Sequence, residues 1–428
     1  MLTRSMQERL LSGAFWNMLA TIASKGFTVF AGIIVARLLG AELYGEVGMV
    51  QSSATMFQVL AVCGIGLTCS KYVAELKKSD PYSAGEVIGF SLVFSVLFGI
   101  VIAGVFFILS PFLAGCILNK ESIVLLLRMS SVLLFLGALN GVQTGILSGF
   151  EAFRSQSVVN FFSGLITFLC IVLAAYAWKT AGVILGMIAG GISQCCFNIY
   201  TIKKFLVKYK IKITMRYFRN QFVLIYKFSI PAMMSGLIYW VSIWIGNAML
   251  VNQHDGYTQL GIYNAGYQWF SIILFLPSIL TGAILPIMSE RKGAKDFSTM
   301  RNVLFFSIKS SFFFVFPVCI IFSILSPYIM KMYGEGFEAH WDVLVLILVM
   351  ALFTCVQNMM SNTFAVVEKM WLNFSLNFAW GVLYIFLIVI LLRNGLGAIG
   401  LALAGLFASI VRFALTVIFS FKVLKSAR

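Results

Sequence analysis

Twelve apolar runs, each long enough to cross a bilayer, dominate this 428-residue sequence. A membrane-spanning helix needs about 20 mostly apolar residues, because where no water reaches every backbone N–H and C=O must be paired within the segment. The runs fall near residues 11–36, 46–69, 86–109, 123–148, 156–178, 181–205, 222–250, 259–285, 302–325, 342–366, 372–392 and 396–421. Only 11% of the residues are charged and 61% are hydrophobic, whereas a soluble domain carries about a quarter charged residues. The expected fold is an all-α multi-pass membrane protein of 12 transmembrane helices. The opening MLTRSMQERLLSGAFWNML has the charged start of a signal peptide, but its apolar run continues to Val35. That is too long for a signal core, so it reads as the first span. Pro231 in the seventh run and Pro277 and Pro286 in the eighth predict kinks.

The charges orient these runs. The formal net charge is +16, which in a soluble protein would suggest nucleic acid. In a membrane protein, Lys and Arg collect in cytoplasmic loops. With the N-terminus inside, 22 of the 31 cations lie in inside segments, 5 in outside loops and 4 within spans. Both termini are therefore expected to be cytoplasmic, with no nucleic-acid partner. The most basic stretch, KKFLVKYKIKITMRYFRNQ (203–221), falls at mid-chain. It divides the sequence into a six-helix half at 1–207, a basic cytoplasmic linker at 208–221 and a second six-helix half at 222–428. The linker's cations suit a position near anionic lipid.

The two halves echo one another. LLGAELYGEVGM follows the first run and TQLGIYNAGYQ the seventh; TGILSGFEAFRSQ follows the fourth and SNTFAVVEKMWLN the tenth. Setting Tyr44 on Tyr263 gives an offset of 219, and Glu151 on Glu368 gives 217. A third echo, AGVILGMIAGG with GLGAIGLALAGL, keeps the order. With six spans each, both halves enter the membrane from the same side. Parallel repeats of this kind occur in secondary transporters, which work by rocking one repeat against the other.

Cations within spans are costly and mark function by default. Lys25 lies about fourteen residues into the first run, near mid-bilayer at a rise of about 1.5 Å per residue. It is expected to face a cavity, the alternative being a partner on a neighbouring helix. Arg412, about nine residues from the inner end of the last run, suits a cavity or snorkelling equally. Lys309 and Arg128 lie about seven residues from their span ends, within reach of the headgroups. No carboxylate lies deep in a span. Glu46 and Glu86 begin spans, while Glu151 and Glu368 sit at inner ends as loop caps or as ion-pair partners of Arg154 and Lys369. An excess of intramembrane cations suits an anionic substrate. Amides and rings form a second group of candidates: Asn140, Gln143, Trp244, Asn247, Gln268 and Gln357, with Tyr239 and Trp269 nearby. They could bind a sugar's hydroxyls and flat faces, or simply tie helices together.

Soluble chemistry is absent from the pattern. There is no GxxxxGK[ST] loop, HExxH or GxSxG. Two histidines, His254 and His340, are too few for a histidine-based metal centre. The eight cysteines have no zinc spacing and read as small apolar fillers. No catalytic, cofactor-binding or metal-binding residue is expected.

The opening GAFWNMLATIASKGFTVFAGIIVARLLGAELYGEVGMV, the segment GIGLTCSKYVAE and the second-half turn LGIYNAGY resemble the polysaccharide transporters of the multidrug/oligosaccharidyl-lipid/polysaccharide (MOP) superfamily. The resemblance implies a MATE-like fold of two six-helix bundles. It implies a flippase in the bacterial cytoplasmic (inner) membrane, moving an undecaprenyl-diphosphate-linked oligosaccharide such as an O-antigen (lipopolysaccharide) or capsule repeat unit. Alternating access, coupling to a H+ or Na+ gradient, and membrane lipid, a glycan polymerase and other assembly proteins as partners follow from the same likeness. No cofactor does. Lys25 and Arg412 would draw the diphosphate. A drug exporter of the same superfamily is the nearest rival, and the lack of a deep carboxylate counts against it. A membrane glycosyl ligase or polymerase is the rival from another class; its site would have to fit the short outside loop SPYIMKMYGEGFEAHWD with His340.

Overall fold

The computed structural model describes residues 4–62, 65–214, 230–275, 277, 288, 296–367 and 369–426. Their regular structure is helical throughout. They divide into two units, Met1–Leu38 with Val50–Met233, and Leu39–Met49 with Met234–Arg428.

Helix α1 (Arg4–Val62), which belongs to the first unit except at Leu39–Met49, carries the first run and most of the second. The loop expected between them is absent. The helix breaks at one residue, Gly40, at φ 79° and ψ 171°, a conformation open to glycine and strained for other residues. Helix α2 (Ile65–Ser79) extends the second run and carries Lys71, Lys77 and Lys78, which the charge pattern assigned to a loop. Asp80 then caps α3 (Pro81–Phe112), accepting from the Ser83 backbone N–H at 3.1 Å, with Pro81 where no donor is needed. Hydrogen bonds from the Ser83 hydroxyl and backbone N–H hold the Asp80 carboxyl below its ordinary pKa. A π turn, Leu113–Ile117, precedes α4 (Val124–Gly149). Helix α5 (Phe153–Lys208) holds the fifth and sixth runs and breaks at Trp178 and Lys179, where the sequence ends one run and starts the next.

Between lipid-embedded helices there is little hydrophobic driving force, so close approach through small residues matters more. A Cβ on Gly66 would lie 2.7 Å from the Gly141 carbonyl oxygen, and one on Gly186 2.5 Å from the Ile171 backbone across the break in α5. At one end of this unit Ile65, Val73, Ile88, Ile146 and Ile202 form a buried cluster. Phe150 closes it, stacked on Phe205 at 5.7 Å and Tyr209 at 5.5 Å. Ile211 joins that cluster and Thr214 abuts Gly89 of α3. The start of the basic linker is thus seated on the first unit; its residues 215–221 lie outside the described ones.

The second unit contains α6 (Ile230–Val251), α7 (Gly256–Ile273), α8 (Phe297–Met332), α9 (Trp341–Val366), α10 (Met370–Arg393) and α11 (Gly397–Ser426). Asp296 caps α8 through the Thr299 N–H at 3.1 Å, and α8 carries Pro317 and Pro327. Parts of the seventh and eighth runs, at 222–229 and 278–285, and Pro286 lie outside the described residues. Eight helical stretches among the described residues are long and apolar enough to span a membrane. Two of them, in α1 and α5, hold two runs each, and α6 and α7 supply parts of the seventh and eighth, so each of the twelve runs carries helix among the described residues. Phe305, Phe306, Phe313 and Phe314 on α8, and Leu97, Val101 and Ile108 on α3, are exposed, a coat that lipid can cover and water cannot.

Candidate functional site

Each unit encloses its own polar groups. In the first, Lys25 sits half-buried on α1, with no carboxylate or hydrogen-bond partner among the described residues. The surrounding packing is tight: Phe27 meets Phe161 at 5.6 Å and Phe168 at 5.9 Å, and Ser24 abuts Gly164 of α5. Deeper in the unit, Asn140 donates to the Gly191 carbonyl at 3.1 Å and Gln143 to the Cys195 sulfur at 3.3 Å. These amides tie α4 to the second segment of α5. Asn140 Oδ1 and Gln143 Oε1 have no partner among the described residues.

Arg128 lies exposed beside the Phe107 ring, its guanidinium 5.1 Å from the ring centroid. Lys309 is exposed on the Phe-rich face of α8. Neither side chain is brought to another candidate among the described residues.

The second unit gathers more of the expected residues. Arg412 on α11 is 9% exposed, at the wall of a cavity of about 20 Å³ open to the centres of water-sized groups. With its amide turned so that the oxygen faces the guanidinium, Gln357 on α9 accepts from Nε and Nη1 at 2.9 Å and from Nη2 at 3.2 Å; this orientation is assigned by hydrogen-bond complementarity. No carboxylate pairs with Arg412 among the described residues. Much of the cavity's remaining wall is aromatic. Tyr239 stacks on Trp380 at 5.0 Å, Trp380 on Tyr384 at 5.0 Å, and the Tyr239 and Tyr267 hydroxyls lie 3.2 Å apart. Asn247 is buried and Trp244 half-buried on α6. Gln268 lies apart from the cavity, accepting from the Tyr333 hydroxyl at 2.8 Å, while Trp269 donates to that hydroxyl at 3.1 Å.

Sequence reasoning missed Tyr263, Tyr267, Trp380 and Tyr384, which line the Arg412 cavity. A signal was present: Tyr263 with Tyr267, and Trp380 with Tyr384, are i, i+4 pairs and share a helix face. The offset of 217 that aligns Glu151 with Glu368 also sets Asn140 on Gln357 and Cys195 on Arg412. Each unit thus joins equivalent helices through polar side chains, but only the second places a cation there.

A sequence profile of the polysaccharide biosynthesis protein family matches residues 10–292, and the MatE profile matches residues 231–372. The first match spans well over half of the chain. The chain belongs to the polysaccharide biosynthesis protein family. Within the family's wider circle, it is 24% identical over 200 residues to the EPS I polysaccharide export inner membrane protein EpsE of Ralstonia nicotianae. That match covers 46% of this chain and 45% of the relative. The fold is that of the MOP superfamily. An inward-facing multidrug resistance MATE family transporter of that superfamily has a TM-score of 0.76 at 17% identity, over 97% of this chain and 100% of its own. A MOP superfamily transporter from Pyrococcus furiosus, described as having a binding pocket of reverse polarity, has a TM-score of 0.72 at 16% identity, over 96% and 95%. The family member described here is accordingly a multi-pass membrane protein.

Proposed function

We propose that this protein is a polysaccharide export carrier. It moves an undecaprenyl-diphosphate-linked oligosaccharide, an O-antigen or capsule repeat unit, across the bacterial cytoplasmic membrane by alternating access. The observation that carries this reading is Lys25, a half-buried cation on a membrane helix with no acidic partner among the described residues. A lysine left unpaired at that depth is retained for what it binds, and a diphosphate supplies the opposite charge. Arg412 adds positive potential to the second unit. The cavity beside it is small, so Lys25 is the better contact for the headgroup itself. The EpsE relative's export role supports a polysaccharide cargo, and the matched proteins are export proteins and transporters rather than enzymes.

The MatE profile match favours a second reading, a drug exporter. A cationic drug would need a carboxylate, and the Arg412 cavity offers it none.

The test is translocation of a fluorescent polyprenyl-diphosphate oligosaccharide by the purified protein in proteoliposomes. Wild type should move it. Lys25→Ala should insert normally and lose at least about ten-fold in rate, equivalent to about 1.4 kcal/mol; Lys25→Arg should keep part of the activity. Full activity in Lys25→Ala would sink the role given to Lys25. Failure of wild type on every lipid-linked sugar, alongside export of cationic dyes, would replace the carrier reading with the drug exporter.

A further inference from the structure

Arg412 presents a charge problem that Gln357 does not solve. A guanidinium has five N–H donors and stays protonated. Three of its nitrogens converge on one amide oxygen, and that oxygen has two lone pairs. At least three N–H groups are left over. The side chain is 9% exposed, and no carboxylate lies against it among the described residues. A buried cation without a counter-ion is costly.

The groups around the adjoining space are those an anion needs. Tyr239, Tyr263, Tyr267, Tyr384 and Ser409 line the same cavity, as does Thr354, whose hydroxyl already donates to the Met350 carbonyl at 2.9 Å. Tyr239 and Tyr267 are hydrogen-bonded to each other at 3.2 Å. One donates to the other, which leaves the acceptor's own proton for a third group. The volume fixes the scale. About 20 Å³ is open to water-sized centres, where a single water needs about 10–15 Å³. A monatomic anion fits that space whole; a diphosphate with its bridging and terminal oxygens would have to extend beyond it.

We propose that the cavity beside Arg412 is a binding site for a small inorganic anion, chloride foremost, held by the guanidinium and tyrosyl donors within the second unit. The ion supplies the missing counter-charge. The site stands independently of the headgroup role given to Lys25.

Equilibrium binding of radiolabelled chloride to the purified full-length protein in detergent, exchanged into gluconate buffer, tests this. Wild type should show one saturable site per chain, and added chloride should raise the thermal midpoint. Arg412→Gln keeps polarity but not charge and should weaken chloride binding at least ten-fold. The double variant Tyr239→Phe, Tyr267→Phe keeps the rings and should weaken it several-fold while running as a monodisperse peak. Arg393→Gln, at an exposed cation, should bind as wild type. No saturable chloride binding by wild type, or unchanged binding by monodisperse Arg412→Gln, would overturn the proposal. Inorganic pyrophosphate separates the two sources of negative charge. Failure to displace chloride supports the small-ion site, whereas competitive displacement would reassign the cavity to the substrate headgroup.

Discussion

Lys77 and Arg412 are both buried cations, and their surroundings give them opposite tasks. Lys77 donates to the Gly149 carbonyl at 3.1 Å and to Glu151 Oε1 at 2.8 Å, with its side chain 6% exposed and that of Glu151 63% exposed. Glu151 was expected to be a loop cap or to pair with Arg154; its partner is Lys77, which ties α2 to the corner between α4 and α5. Because Glu151 faces solvent, its share of the energy is screened, and the buried bond to the Gly149 carbonyl matters more. Lys77→Met should destabilise by about 1–3 kcal/mol, the cost of orphaning a buried charge-assisted hydrogen bond. Glu151→Gln should cost less than about 1 kcal/mol. Thermal unfolding in detergent measures both, and equal losses would refute this ordering.

At the scale of elements, the informative feature is the crossing of residues Leu39–Met49 over α7 within the second unit. A Cβ on Gly45 would overlap the Tyr257 carbonyl oxygen, and one on Gly261 would overlap that of Ala41. Gly48 abuts Asn264 in the same way. These three pairs are 212, 220 and 216 residues apart in sequence, centred near the offset of the internal repeat. Tyr44 lies edge-on to Tyr333 at 6.5 Å and to Phe337 at 6.2 Å. The glycines of this corner were expected to serve both close packing and bending. Gly40 alone among them has a positive φ, whereas Gly45 and Gly48 permit close approach. Gly45→Ala and Gly261→Ala should each cost about 1–3 kcal/mol, since the obstacle is backbone and cannot rotate away. The double variant should cost less than their sum, because both relieve one crossing. Strict additivity in thermal unfolding would show that the two positions do not share a contact.

For the molecule as a whole, the loop charges predict that both termini are cytoplasmic. Cys116, exposed at the end of α3, then faces the outside. In a variant whose other cysteines are replaced, Cys116 should react with a membrane-impermeant maleimide in intact cells. Lys204→Cys, near the inner end of α5, should react only after permeabilisation. The reverse pattern would invert the topology.

The sequence by itself determined the membrane class, the twelve helical runs and the family. The bilayer's demand is local: each segment must pair its own backbone, so run length and composition report it directly. The join between the fifth and sixth runs was legible for the same reason. The first corner was misread, because one glycine at φ 79° replaces the expected loop, and residue spacing carries no dihedral angle. Only the tertiary structure decided which charges are compensated. On paper Lys77 is a loop cation, and Lys309, Arg128 and Arg412 are span cations of one kind. Helix rotation and the choice of neighbours set the first against a carboxylate, leave the next two exposed, and enclose the last among tyrosines drawn from three helices. Those partners lie up to 173 residues away along the chain, from Tyr239 to Arg412, and packing alone brings them together.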